Sequence, residues 1–172
     1  EVETAPKSGN AEVDALIREA RGQLDQIAAA NDAIADPALS RQIEDIEATC
    51  RLILQRLEEQ PNMLSQLRTF LRYYLPATLK LLNARAALEA EVSAGQSADI
   101  AARIAKAVEQ VQSAFHKQLD ALNEFRFINL ESEMDVMRDM LKADGLIDEE
   151  TGDDPFADVL KPRGGQKPMA SP

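Results

Sequence analysis

The amino-acid sequence predicts an all-α protein: an elongated antiparallel four-helix bundle with coiled-coil-like seams, a kinked third helix and a long fourth one. Three observations lead there. Glycine is scarce, 7 of 172 residues, aromatics make up 4%, and Ala, Leu, Glu, Gln and Arg dominate, the profile of long helices. Apolar residues recur at three- and four-residue steps along four separate stretches, which keeps them on one helical face. No run of β-branched residues alternates with polar ones between hairpin turns, so strands are not expected.

Residues 1–10, "EVETAPKSGN", are polar and hold Pro and Gly, which suits a flexible N-terminal segment. The first helix, about 11 to 35, carries Val13, Ile17, Ala20, Leu24, Ile27, Asn31 and Ile34 on its seam, with Asn31 a polar register device. Asp36 and Pro37 are a cap and a first-turn proline for the second helix, whose seam is Leu39, Ile43, Ile46, Cys50, Ile53 and Leu57. The short connection makes an antiparallel hairpin. Pro61 opens the third helix, with Leu64, Leu67, Leu71, Leu75, Leu79 and Leu82 inward; it is expected to end near Ala94, with Gly95 as its left-handed cap. Ser97 then caps the fourth helix, whose apolar positions are Ile100, Ile104, Val108 or Ala107, Val111, Phe115, Leu119 and Leu122. Their spacing closes after eleven residues, close to a straight helix. Gly145 is its stop signal. The bundle thus spans 11–145, and residues 146–172, acidic and then Pro- and Gly-rich, are expected to be disordered.

A proline inside "FLRYYLPATLKLL", residues 70–82, is the feature that an ordinary helix does not explain. The apolar stepping continues past Pro76, so the helix is expected to bend there and resume, with the Thr78 hydroxyl bonding back to the Tyr74 carbonyl. The bend either wraps the helix around the bundle or presents Tyr73, Tyr74, Pro76 and Lys80 to a partner. From Pro61 to Leu88 the cations Arg68, Arg72, Lys80 and Arg85 stand without one acidic residue. They do not share a face. Pairing of Arg72 with Asp120 and of Arg68 with Glu124 across an antiparallel hairpin is expected rather than a phosphate cradle.

A net charge of −11 argues against nucleic acid as a partner, because phosphate neutralisation needs clustered Lys and Arg. Cys50 and His116 are single, which excludes disulfides and cysteine- or histidine-rich metal sites within one chain. A reducing, cytoplasmic setting fits. Cys50 lies on a seam and reads as a buried thiol, while His116 has no evident partner and reads as a solvent-facing or boundary side chain. No apolar run reaches the ~20 residues that span a bilayer. The chain begins at Glu1, so a membrane anchor ahead of it is compatible with the sequence.

"YYLPATLKLL" at 73–82 and "NLESEMDVMRDMLKADGL" at 129–146 resemble the XpaC family, named for 5-bromo-4-chloroindolyl phosphate hydrolysis. The resemblance covers most of the helical region. It implies a helical bundle, often behind N-terminal hydrophobic segments, associated with toxic-anion, or tellurite, resistance proteins. Arg85 and Ala86 stand where the family pattern leads one to look for a further tyrosine. The family title suggests a phosphatase acting on phosphomonoesters, yet no catalytic residues, cofactor or metal are assigned: a cysteine phosphatase needs a thiolate in an amide-lined loop, and a metal phosphatase needs converging carboxylates and histidines. Glu131, Asp135 and Asp139 form an acidic row at four-residue steps, which reads as a solvated face. The expected function is therefore a non-catalytic interaction module at the inner face of a bacterial membrane, with a phosphomonoester hydrolase or a peripheral membrane-surface protein as alternatives. A small-molecule substrate is not expected.

At about 1.5 Å per residue the fourth helix is about 70 Å long and the third about 50 Å, so residues 131–142 should project beyond the bundle. They hold Met134, Met137, Met140 and Leu141, an adaptable stripe suited to self-association or a protein partner. The competing expectation is a break near Ser132 that begins a new helix.

Overall fold

The computed structural model describes residues 4–91 and 95–147. Helix α1 (Ala11–Asp32) begins where the Asn10 side chain accepts hydrogen bonds from the Glu12 and Val13 amides, with Glu12 and Asp14 in the first turn facing the positive end of the helix dipole. Helix α2 (Pro37–Glu59) begins in the same manner, Asp36 accepting from Ala38 and Leu39. The third helical stretch is composite: a 3₁₀ turn (Pro61–Met63), α3 (Leu64–Thr69), a π turn (Phe70–Tyr74) and α4 (Leu75–Ala87). A 3₁₀ turn at Glu89–Glu91 follows, and α5 runs from Gly95 to Ala143. No strand occurs among the described residues. The protein is all-α.

Every apolar residue expected on the first two seams is buried, as are Leu64, Leu67, Leu71, Leu75, Leu79 and Leu82. Asn31 is half-buried, and its side-chain carbonyl oxygen is buried without a hydrogen-bond partner. Helix α1 packs on α2 and α4. It runs antiparallel to α2, as the ion pairs of Arg21 with Glu58 and Asp25 with Arg51 require. It runs parallel to the third stretch, since Glu12 meets Arg68 and Ala35 meets Glu89. Residues 4–10 lie against this pair: the Lys7 amide donates to Glu58, Arg21 donates to the Thr4 carbonyl, and Pro6 is buried.

The third stretch ends at Ala87, earlier than Ala94. The Leu88 amide is shared between the Ala84 and Arg85 carbonyls. Glu89 is diverted into an ion pair with the buried Arg85 at 2.6 Å, while its other oxygen accepts from the Ala35 amide at 3.1 Å. Gly95, expected as a cap, is instead the first residue of α5, and Ser97 lies inside that helix.

Two compact units are distinguished, Glu1–Leu122 and Asn123–Pro172. In the first, α5 buries Ala101, Ile104, Val108, Phe115 and Leu122, while Ile100 is exposed and Leu119 half-buried. Phe115 meets Phe70 and Ile104 lies beside Leu81, so α5 is antiparallel to the third stretch here. In the second unit the helix continues without a break at Ser132. It stops as expected: Gly145 has φ +69°, the Leu146 amide reaches the Leu141 carbonyl at 2.9 Å and the Gly145 amide the Lys142 carbonyl at 3.0 Å, a Schellman closure. The expected disordered tail lies, from residue 148 on, outside the described residues. None of the described helices is long and apolar enough to cross a membrane.

Candidate interaction surfaces

The structure answers the question posed by Pro76 with a widened turn. The Leu75 amide bonds the Phe70 carbonyl, five residues back rather than four. The next residue is Pro76, which has no amide hydrogen and whose ring would crowd the carbonyl four residues earlier in a regular helix. Inserting one residue into the turn relieves both problems. The Thr78 hydroxyl donates to the Tyr74 carbonyl at 2.8 Å, as expected. This geometry turns Phe70 and Leu71 inward and leaves Tyr73 and Tyr74 67% and 54% exposed, their rings edge to face at 5.7 Å.

Beside the π turn lies a largely apolar groove of about 400 Å³ between α4 and α5, lined by Phe70, Tyr74, Ala77, Thr78 and Leu81 on one side and Val111, Ala114, Phe115 and Gln118 on the other. Phe70 and Phe115 meet with centroids 4.6 Å apart. Ala77 and Ala114 make the groove, because larger side chains there would fill it. Tyr74 therefore borders a cleft, whereas Lys80 is exposed and does not line it.

The expected cation partners are corrected. Arg68 and Arg72 pair with Glu12, at 2.8 and 3.4 Å, not with Asp120 and Glu124, since the parallel neighbour α1 brings its first turn to them. His116, for which the sequence shows no evident partner, stands 2.5 Å from Asp45 of α2, and Gln112 donates to the same carboxylate oxygen at 2.7 Å. The Gln112 and then the His116 hydrogen bonds hold the Asp45 carboxyl below its ordinary value of 3.8. Cys50 is fully buried, and desolvation pushes its thiol up to about 12; as a thiol at neutral pH it is a poor nucleophile.

The far part of α5 presents a different surface. Phe127, Ile128, Leu130, Val136, Met137 and Met140 are all exposed, Phe127 by 65% and Met140 by 63%, while Met134 and Leu141 are half-buried. Glu131, Asp135 and Asp139 are exposed between them, and Asp135 lies 3.5 Å from Arg138. Among the described residues no three His, Cys, Asp or Glu side chains converge on a metal position.

A family model described as 5-bromo-4-chloroindolyl phosphate hydrolysis protein matches residues 7–137, most of the chain and all of its first unit's helices. The chain belongs to this family. Comparison with curated proteins and with solved structures gave no match. Within this XpaC-family chain the match takes in the groove, the Asp45–His116 contact and the exposed stripe as far as Met137. Sequence reasoning passed over Asp45 and the alanine pair, which carry no local signal because their partners are distant in the chain. It also passed over Phe127, Ile128 and Leu130. Their signal was present: "FRFINL" at 125–130 is apolar on more sides than one seam can bury.

Proposed function

We propose that this XpaC-family chain is a helical docking module that acts through the far part of α5 and carries no chemistry of its own. The observation that supports this reading is the set of six exposed large apolar residues between Phe127 and Met140, on a stretch whose other positions are, apart from Met134, polar or charged. Exposed large apolar side chains in this number mark interaction sites, and the methionines among them adapt to a facing helix. With an anchor of the sort the family resemblance implies, the module would work at the inner face of a bacterial membrane, in toxic-anion (tellurite) resistance.

The rival reading is the hydrolase that the family description names. The purified chain, with and without divalent cations, should show no turnover of an indolyl phosphate above the level of contaminating phosphatase. Robust turnover lost on Asp135→Asn or His116→Ala would overturn the docking reading. Conversely, Met137→Asp combined with Met140→Asp should weaken self-association or partner capture while moving the melting temperature by less than about 2 °C, because exposed positions contribute little to folding. A larger loss would mean that the stripe is core.

A further inference from the structure

Resting on the docking reading, we infer that the partner for this stripe is a second copy of the same chain, bound in parallel. Phe127, Leu130, Met134, Met137 and Leu141 follow one another at steps of three and four, a two-heptad seam on a helix that continues unbroken to Ala143. Three of the five are exposed and the other two half-buried, so the seam has apolar surface left to cover.

Charge selects the occupant and its direction. The seam is flanked on one side by Arg126 and Glu133 and on the other by Glu131 and Arg138. In a parallel pair each flanking residue meets the one five positions later on the opposite helix, and such contacts set partner choice and orientation. Arg126 then meets Glu131 of the second copy, Glu133 meets Arg138 of the second copy, and the two-fold axis repeats both. All four contacts are attractive. The antiparallel register that sets Leu130 against Leu141 makes only the Glu131–Arg138 contact, twice. Shifted by a heptad, it opposes Glu131 to Glu131 and Glu133 to Glu133. A parallel self-pair is thus the arrangement that the pattern satisfies throughout, and like chains are its natural complement.

Two heptads make a short interface, so the association should be concentration-dependent rather than permanent. Sedimentation equilibrium of the full chain should show a monomer–dimer equilibrium. Arg126→Glu with Arg138→Glu makes both flanks wholly acidic and should weaken self-association at least tenfold. Mixing that variant with Glu131→Arg, Glu133→Arg, whose flanks are wholly basic, should restore a heterodimer, a result that loss of folding in either variant could not produce. For direction, Leu130→Cys in a Cys50→Ala background should oxidise to a covalent dimer, since only the parallel register sets residue 130 against itself. A wild-type chain that stays monomeric to about 1 mM, a dimer indifferent to the acidic variant, or a monomer that instead binds phosphatidylglycerol vesicles would each overturn the inference. If the chain is monomeric and Met137→Asp, Met140→Asp still abolishes capture of another protein, the docking reading stands and the self-pairing alone fails.

Discussion

Asp45 shows how a single carboxylate ties two distant segments. Its contacts with Gln112 and His116 bridge α2 to α5 across 67 and 71 residues of sequence, and they favour the ionised form, which lowers its pKa from 3.8. A carboxyl whose folded value is depressed stabilises the fold fully above its unfolded value, and loses that contribution as pH falls through the lower, folded value. The stability difference between wild type and Asp45→Asn, measured by urea unfolding, should therefore be present at about pH 5 and shrink towards pH 2. An unchanged difference would mean that packing, not charge, is what the substitution removes. Cys50 belongs to the same level of description: its place between Ile46 and Ile53 on a buried seam was readable from spacing, and its raised thiol pKa follows from that burial.

The third helical stretch shows an element adapting to one residue. A proline within a regular helix costs about 3 kcal/mol, and the π turn before Pro76 supplies the room that the ring needs and omits the hydrogen bond that the residue cannot donate. Pro76→Ala should accordingly raise stability by well under about 3 kcal/mol in chemical denaturation. A gain near the full penalty would mean that the wide turn leaves the proline strain in place. Apolar stepping through Leu71, Leu75, Leu79 and Leu82 revealed that the helix continues past the proline. It could not reveal the extra residue in the turn, because a π insertion alters hydrogen bonding while leaving steps of four in place.

In the Glu1–Leu122 unit, α5 is held by few large contacts, with Phe115 against Phe70 at the centre of the antiparallel pairing. Both rings are almost fully buried, at 2% and 3% exposure. Phe115→Ala should cost about 3 to 5 kcal/mol and Ile104→Ala about 2 to 5, both read from thermal or urea unfolding. Leu119, half-buried rather than core, should cost less than Ile104 when replaced by Ala. Equal losses at the two positions would place Leu119 in the core after all.

The four helical stretches, the inward faces of the first three, the Asp36–Pro37 start and the Gly145 stop were legible in the chain, because apolar periodicity and these signals act over one or two turns. The end of the third stretch near Leu88 was misread for the complementary reason: Glu89, paired with Arg85, accepts from the Ala35 amide, 54 residues away. The stripe of methionines was visible as a pattern, and the helix lengths pointed to its exposure, but periodicity alone did not choose between that and a break at Ser132, since an apolar face looks the same whether or not the chain covers it. Partners of Arg68, Arg72 and His116, and the groove opened by Ala77 against Ala114, depend on which helices become neighbours. Local sequence sets what each helix must bury, and packing alone sets what it is buried against.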